Sequence, residues 1–174
     1  MDSGFVRLRF PGYEHTRITN GVPEGWDRKR LSDVADVNRQ SLSSTYDGEI
    51  DYIDISSVTP GSINETTHFD FKDAPSRARR VVKHGDIIWS CVRPNRKSYA
   101  VIWQPASNLI ASTAFAVITP TGVPTSFLFQ ATTTDQFVGY LENPHTDIYE
   151  RQADAWRAVW SQATQLPPDA DLQV

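Results

Sequence analysis

Between Lys72 and Lys97 the chain carries eight basic residues, Lys72, Arg77, Arg79, Arg80, Lys83, Arg93, Arg96 and Lys97, against only Asp73 and Asp86. That stretch is net +6 inside a chain of net −4. Its chemistry is anion binding. An Arg fork grips a phosphate or a guanine edge through two parallel N–H groups, and Lys acts as a point charge. Asn95 and Gln104 add amides of the kind that pair with adenine. Beyond Ser98 the balance reverses, with Arg151 and Arg157 against seven acidic residues, a net −5. The plain alternative is a solvated charged loop, and an RNA or an anionic protein would ask for the same residues.

Other chemistries find little support. No Gly-x-x-x-x-Gly-Lys-Ser/Thr loop is present, and no Gly-x-Gly run follows a strand, which argues against ATP hydrolysis and against a dinucleotide or S-adenosylmethionine fold. His15, His68, His84, His145 and Cys91 lie far apart, without metal-ligand spacing. Asp51, Asp54, Asp70 and Asp73 are carboxylates of the type a nuclease uses, but no Glu-x-Lys follows on a next strand, so they read as solvated. Asn143-Pro144-His145 shares two residues with the Asn-Pro-Pro-aromatic motif of amino methyltransferases, and a helix-ending Asn-Pro explains them better. Cys91 sits in an apolar strand and reads as a small core residue. The expectation is a protein with no catalytic residue, no metal and no cofactor of its own.

The elements that would hold the basic stretch are mostly strands. The length of 174 residues with 39% hydrophobic and 11% aromatic content supports one domain with a real core plus an appendage. No apolar run spans a membrane, the longest being about Ala114 to Ile118, and no apolar signal core opens the chain. One cysteine cannot form an internal disulfide. A cytoplasmic location is expected. Residues 1–25 carry Pro11, Gly12, Asn20, Gly21, Pro23 and Gly25 and read as an extended lead-in. Leu31, Val34, Ala35 and Val37 suggest a short helix or strand with Ser32 as a cap. Ile50 to Val58 reads as a strand ending in a turn at Thr59-Pro60-Gly61-Ser62. Ile87 to Val92 reads as a buried strand between turns at Gly85-Asp86 and Pro94-Asn95. Tyr99 to Trp103 and Ala114 to Thr119 read as further strands. Helices follow, with Thr134 capping one that carries Phe137, Val138 and Leu141.

From Asp147 to Gln165, residues Tyr149, Ala153, Trp156, Trp160 and Ala163 recur at steps of 4, 3, 4 and 3, which predicts an amphipathic helix stopped by Pro167-Pro168. Its stripe would pack on its own domain or, through Trp156 and Trp160, on a partner.

A set of ordered blocks carries a resemblance. They are Tyr52-Ile-Asp-Ile-Ser-Ser-Val-Thr-Pro-Gly-Ser-Ile63, Ala74-Pro-Ser-Arg-Ala-Arg-Arg80, Val82-Lys-His-Gly-Asp-Ile-Ile-Trp-Ser90, Val92-Arg-Pro-Asn-Arg-Lys-Ser98 and Ile110-Ala-Ser-Thr-Ala-Phe-Ala-Val-Ile118. Together they resemble the target-recognition domain of type I restriction–modification specificity subunits. Pro23-Glu-Gly-Trp26 with Leu31-Ser-Asp-Val34 is similar to the start of such a domain. Phe5-Val-Arg-Leu-Arg-Phe-Pro-Gly12 is similar to the exit from the central helical region, which would make this the second of two such domains. The resemblance covers roughly residues 5–143. Beyond it the pattern departs, and the chain reads as truncated or divergent.

The resemblance implies an α+β fold, a twisted, mostly antiparallel sheet with short helices, here followed by the C-terminal amphipathic helix. The expected organisation is a lead-in at 1–25, a recognition domain at 26–143 and a divergent helical tail at 144–174. It also implies sequence-specific binding of double-stranded DNA, with no catalysis, as one half of a specificity subunit. Arg77, Arg79, Ser90, Arg93, Asn95, Arg96 and Lys97 would approach DNA, joined by Arg80 and Lys83 from the basic stretch and by Ser56, Ser112 and Thr113. Methyltransferase and restriction subunits would be the partners, and S-adenosylmethionine, ATP and Mg would belong to them. Two alternatives remain open at this point. One is an interaction or decoy protein that uses the Trp156 and Trp160 helix to bind a partner or a second copy. The other is a small nuclease built on Asp51, Asp54 or Asp70.

Overall fold

The computed structural model describes residues 28–142, together with the short strand segments Phe5–Val6, Thr16–Thr19, Val22–Pro23 and Ala158–Val159. In chain order, β1 (Phe5–Val6), β2 (Thr16–Thr19), β3 (Val22–Pro23) and β4 (Arg28–Lys29) precede the short helix α1 (Leu31–Val34), which passes directly into β5 (Ala35–Val37). Then come β6 (Glu49–Ile53), β7 (Val58–Thr59), β8 (Ser62–Ile63), β9 (Thr67–Asp70) and β10 (Ala78–Val81). The strands β11 (Ile87–Ser90), β12 (Tyr99–Val101), β13 (Leu109–Ser112) and β14 (Phe115–Pro120) follow, then α2 (Thr125–Thr132), α3 (Asp135–Glu142) and the two-residue β15 (Ala158–Val159).

Two four-stranded sheets make the body. The first has the order β12-β11-β14-β5 and is antiparallel throughout. The second has the order β10-β13-β6-β9, in which only β13 and β6 run parallel. The fold is therefore α+β with mostly antiparallel sheets and a few short helices, as the sequence leads one to expect.

Side-chain alternation along the strands builds three apolar layers. Ile88, Ala100 and Val117 from the first sheet meet Ile53 and Ala111 from the second. On the outer face of the first sheet, Ile87, Trp89 and Ile118 pack against Leu31, Leu128, Phe137 and Val138 of the helices. On the outer face of the second, Ile50, Tyr52 and Ile110 cover Phe71. Strand β11 is covered on both faces, which is why it reads as a continuous apolar run. Trp89 also ties the sheet to the helices. Its indole N–H donates to the Thr132 carbonyl at 3.2 Å, and its ring meets Phe137 edge-on at 5.7 Å between centroids.

Local chemistry explains the punctuation. The β7–β8 hairpin closes on Pro60-Gly61, with Gly61 at φ +81, a left-handed value suited to glycine at the third position of a turn. Gly85 sits at φ +85 before β11 and makes the expected turn there. Asp86, although it belongs to the basic stretch, is buried; it accepts the Lys83 backbone N–H at 2.8 Å and the Thr119 hydroxyl at 2.7 Å. Helix α1 is capped through Arg30 rather than Ser32. The Asp33 carboxylate accepts the Arg30 backbone N–H at 3.0 Å, and that bond above all holds the carboxyl below its usual range. Thr134 does cap α3, its hydroxyl accepting the Phe137 N–H at 3.2 Å.

Several strands escape a reading by pattern. β9 exposes most of its residues, β10 carries Arg79 and Arg80 in its middle, and Ile50 to Val58 is broken after Ile53 by the short 3-10 turn Ile55–Ser57. Of the helix expected over 147–165, the described residues are Ala158–Val159, and these are extended and pair with Arg28–Lys29. Trp156 and Trp160 lie outside the described residues. No helix among the described residues is long and apolar enough to cross a membrane.

Candidate nucleic-acid interface

Because β13 runs parallel to β6, both strands end at the same edge of the second sheet. Asp54 and Ser56 follow β6, and Thr113 follows β13. Arg77 immediately precedes β10, which runs antiparallel to β13, so it starts at that edge too. The tight turn at Thr113-Ala114 leads into β14, and the loop after β11 reaches it through the Cys91 N–H, which donates to the Ala114 carbonyl at 2.9 Å. The Thr113 N–H donates to the Arg77 carbonyl at 2.8 Å. One end of the molecule thus gathers Ser56, Arg77, Thr113 and the loop from Cys91 to Lys97.

That loop is built under strain. Pro94–Arg96 forms a single 3-10 turn flanked by Arg93 at φ +52 and Lys97 at φ +54. Non-glycine residues in this region cost about 1 kcal/mol each, and such outliers concentrate at functional loops. Arg93, Asn95 and Arg96 are exposed, with no side-chain hydrogen bond or ion pair among the described residues. Lys97 is half-buried and paired, its ammonium 2.6 Å from the Asp135 carboxylate at the start of α3, and this bond lowers the Asp135 pKa.

Arg77 is held on two sides. Its Nε–H donates to the Tyr52 hydroxyl at 2.9 Å, and its Nη2 donates to the Asp54 carboxylate. These bonds, the Tyr52 one first, hold it yet more firmly in the charged form. Asp54 in turn caps the Ile55–Ser57 turn by accepting the Ile55 N–H.

The structure corrects several residues expected on this surface. Ser90 and Ser112 are fully buried, and their hydroxyls are spent within the chain: Ser90 donates to the Val92 carbonyl at 2.9 Å, and Ser112 accepts the Ala114 N–H at 3.3 Å. Arg79 and Arg80 lie in the middle of β10, which the segment 40–42 bridges on its outer edge. The Arg79 guanidinium stacks 4.4 Å above the Phe71 ring and donates to the Ala78 carbonyl. Arg80 donates to the Ser41 hydroxyl at 3.1 Å. Both act as latches on that strand. Lys83 is exposed but lies at the opposite end, in the turn before β11, as does Gln104 after β12. Cys91 is exposed at the first position past β11 rather than in the core; it still contributes to an apolar cavity of about 130 Å³ whose wall includes Leu31, Trp89, Ile118, Phe137 and Leu141, and desolvation raises its thiol pKa.

The carboxylates considered for a nuclease are each engaged. Asp51 contacts His68 Nδ1 at 2.9 Å, Asp54 holds Arg77, and Asp70 pairs with Lys72 at 3.3 Å. No group of three side chains arranged to hold a metal ion occurs among the described residues.

Two mostly antiparallel sheets with a few short helices present one strained basic loop at a shared strand end. No family model matches the chain. It is similar to the type I restriction enzyme HindI specificity subunit of Haemophilus influenzae, 26% identical over 146 residues that make up 80% of this chain and 29% of that one. Its fold is similar to the HsdS subunit from Thermoanaerobacter tengcongensis, with a TM-score of 0.66 and 26% identity over 79% of this chain and 38% of that one. A chain from a structure of complex assembly and conformational transition in the type I R-M system gives a TM-score of 0.65, 27% identity and the same coverage. The chain is therefore similar to type I restriction–modification specificity subunits over one target-recognition-like domain. It spans less than a third of the curated relative's length and 38% of the solved chains.

Proposed function

We propose that this chain reads double-stranded DNA for a type I restriction–modification complex and performs no catalysis itself. The observation that carries this reading is the convergence of Ser56, Arg77, Thr113, Arg93, Asn95 and Arg96 at one end of both sheets, with Arg93, Asn95 and Arg96 exposed on the loop after β11. Arg93 and Arg96 neutralise phosphates, and Asn95 faces a base edge. The engaged Asp51, Asp54 and Asp70 argue against the nuclease alternative. Methyltransferase and restriction subunits are its partners, and S-adenosylmethionine, ATP and Mg act on those subunits rather than here.

The test is fluorescence anisotropy with a randomised duplex pool. With about three or four phosphate contacts, affinity falls about 40- to 150-fold between 50 and 200 mM salt. Replacing both Arg93 and Arg96 by Ala weakens binding and reduces the log–log salt slope by about 1.8. Folded wild-type protein that ignores DNA at low salt, or a double variant with an unchanged slope, refutes this surface.

A further inference from the structure

We propose that Arg77 is a guanine-reading residue, with Asp54 and Tyr52 as the positioning residues that aim it. The inference rests on the DNA-reading function above and goes further by separating one base contact from the phosphate contacts around it. The guanidinium has five N–H donors on a planar fork. Tyr52 takes the Nε hydrogen and Asp54 one of the two Nη2 hydrogens. Among the described residues none engages Nη1 or the other Nη2 hydrogen, and the end of the fork that these form matches the O6 and N7 acceptors of guanine in the major groove.

Three features make this an aimed group rather than a surface ion pair. Tyr52 is buried at 3% exposure, so its hydroxyl is a fixed post. The backbone of Arg77 is pinned to the Thr113 turn by the 2.8 Å bond to its carbonyl. Its side chain nevertheless stays 54% exposed, against 32% for Asp54, so the fork stands out beyond the carboxylate that holds it. Arg93 and Arg96 have no such buttress among the described residues, which suits groups that follow a phosphate rather than select a base. Such preorganisation places the cost of ordering the side chain in folding rather than in binding.

The test selects binding sites from a randomised duplex pool with the full chain, then measures affinity for the selected site and for a single-position G·C→A·T change. Wild type is expected to select at least one guanine. Arg77→Lys is expected to lose roughly ten- to hundredfold for that site, and to bind the altered site as wild type does within about threefold. Asp54→Asn keeps the Ile55 cap in shape and is expected to lose part of the same preference with no change in salt slope. Circular dichroism checks folding of each variant. If wild type binds but selects no sequence, the DNA-reading function itself fails. If wild type selects a site and Arg77→Lys selects the same one with equal preference, the function stands and the assignment of Arg77 is overturned. A loss that is equal across all sequences with a reduced salt slope makes Arg77 a phosphate contact, which also overturns it.

Discussion

Asp51, His68 and Glu49 meet on the β6–β9 pair, with His68 Nδ1 2.9 Å from Asp51 and Nε2 3.8 Å from Glu49. The hydrogen bond to Asp51, with help from Glu49, raises the His68 pKa above its usual value. A histidine raised in the folded state adds stability that is fully present below its unfolded pKa, near 6.5, and is lost as pH rises through the higher folded value. NMR titration of the imidazole is expected to show the raised midpoint in wild type and an ordinary one in Asp51→Asn; equal midpoints would discount the pair. At this same scale the sequence was a partial guide. The exposed loop position of Arg93, Asn95 and Arg96 was legible because Pro94 and the preceding apolar strand fixed where the loop must lie. Ser90 and Ser112 were misread because each closes a tight turn with a bond to a backbone group two residues on, and nothing in a serine's identity distinguishes a capped turn from an exposed hydroxyl.

Helix α3 does more than cover Trp89. Its first residue, Asp135, is 89% exposed and holds Lys97, so the loop's own cation is partly neutralised from a neighbouring element. Asp135→Asn removes the competing carboxylate, and we expect the non-specific DNA affinity to rise at low salt and the log–log slope to steepen by up to about 0.9. An unchanged slope would mean that loss of the Asp135 carboxylate does not release Lys97 to a phosphate. The elements were legible where pattern and packing agree, as in β11, β14 and the Pro60-Gly61 hairpin. β10 was missed because its two arginines look like surface charge, whereas in the fold Arg79 stacks on Phe71 and Arg80 ties Ser41 to the strand edge. Lys83 shows the same limit from the other side: it is near Arg79 in the chain, yet β10 carries it to the far end of the sheet.

For the whole molecule, net charge is a poor guide to partner. The chain is net −4, yet the end formed by the starts and finishes of β6, β10, β11, β13 and β14 gathers the exposed Arg77, Arg93 and Arg96, while Asp86 of the same stretch is buried and Asp54 is committed to Arg77. Strand order could not be read from the sequence, since adjacent apolar strands fit many registers and only long-range packing chooses among them. The layer arrangement, by contrast, follows from alternation that is visible in Ile87-Ile88-Trp89 and Ile110-Ala111.

The parallel pairing of β6 and β13 has a consequence in time. β6 and β13 join Asp51–Ile53 to Leu109–Ala111, so the centre of the second sheet closes only after the chain from one to the other has been made and folded back. Closing so long a loop before its contacts reward it slows folding, and mixed sheets of this sort are expected to fold in milliseconds to seconds. Stopped-flow refolding is expected to show that range, and a chain ending before Leu109 is expected to lack cooperative unfolding altogether. Asp54, Arg77 and Thr113, drawn from three distant parts of the chain, therefore come together late, and a partly made polypeptide would carry its positive charge before the arrangement around Arg77 exists.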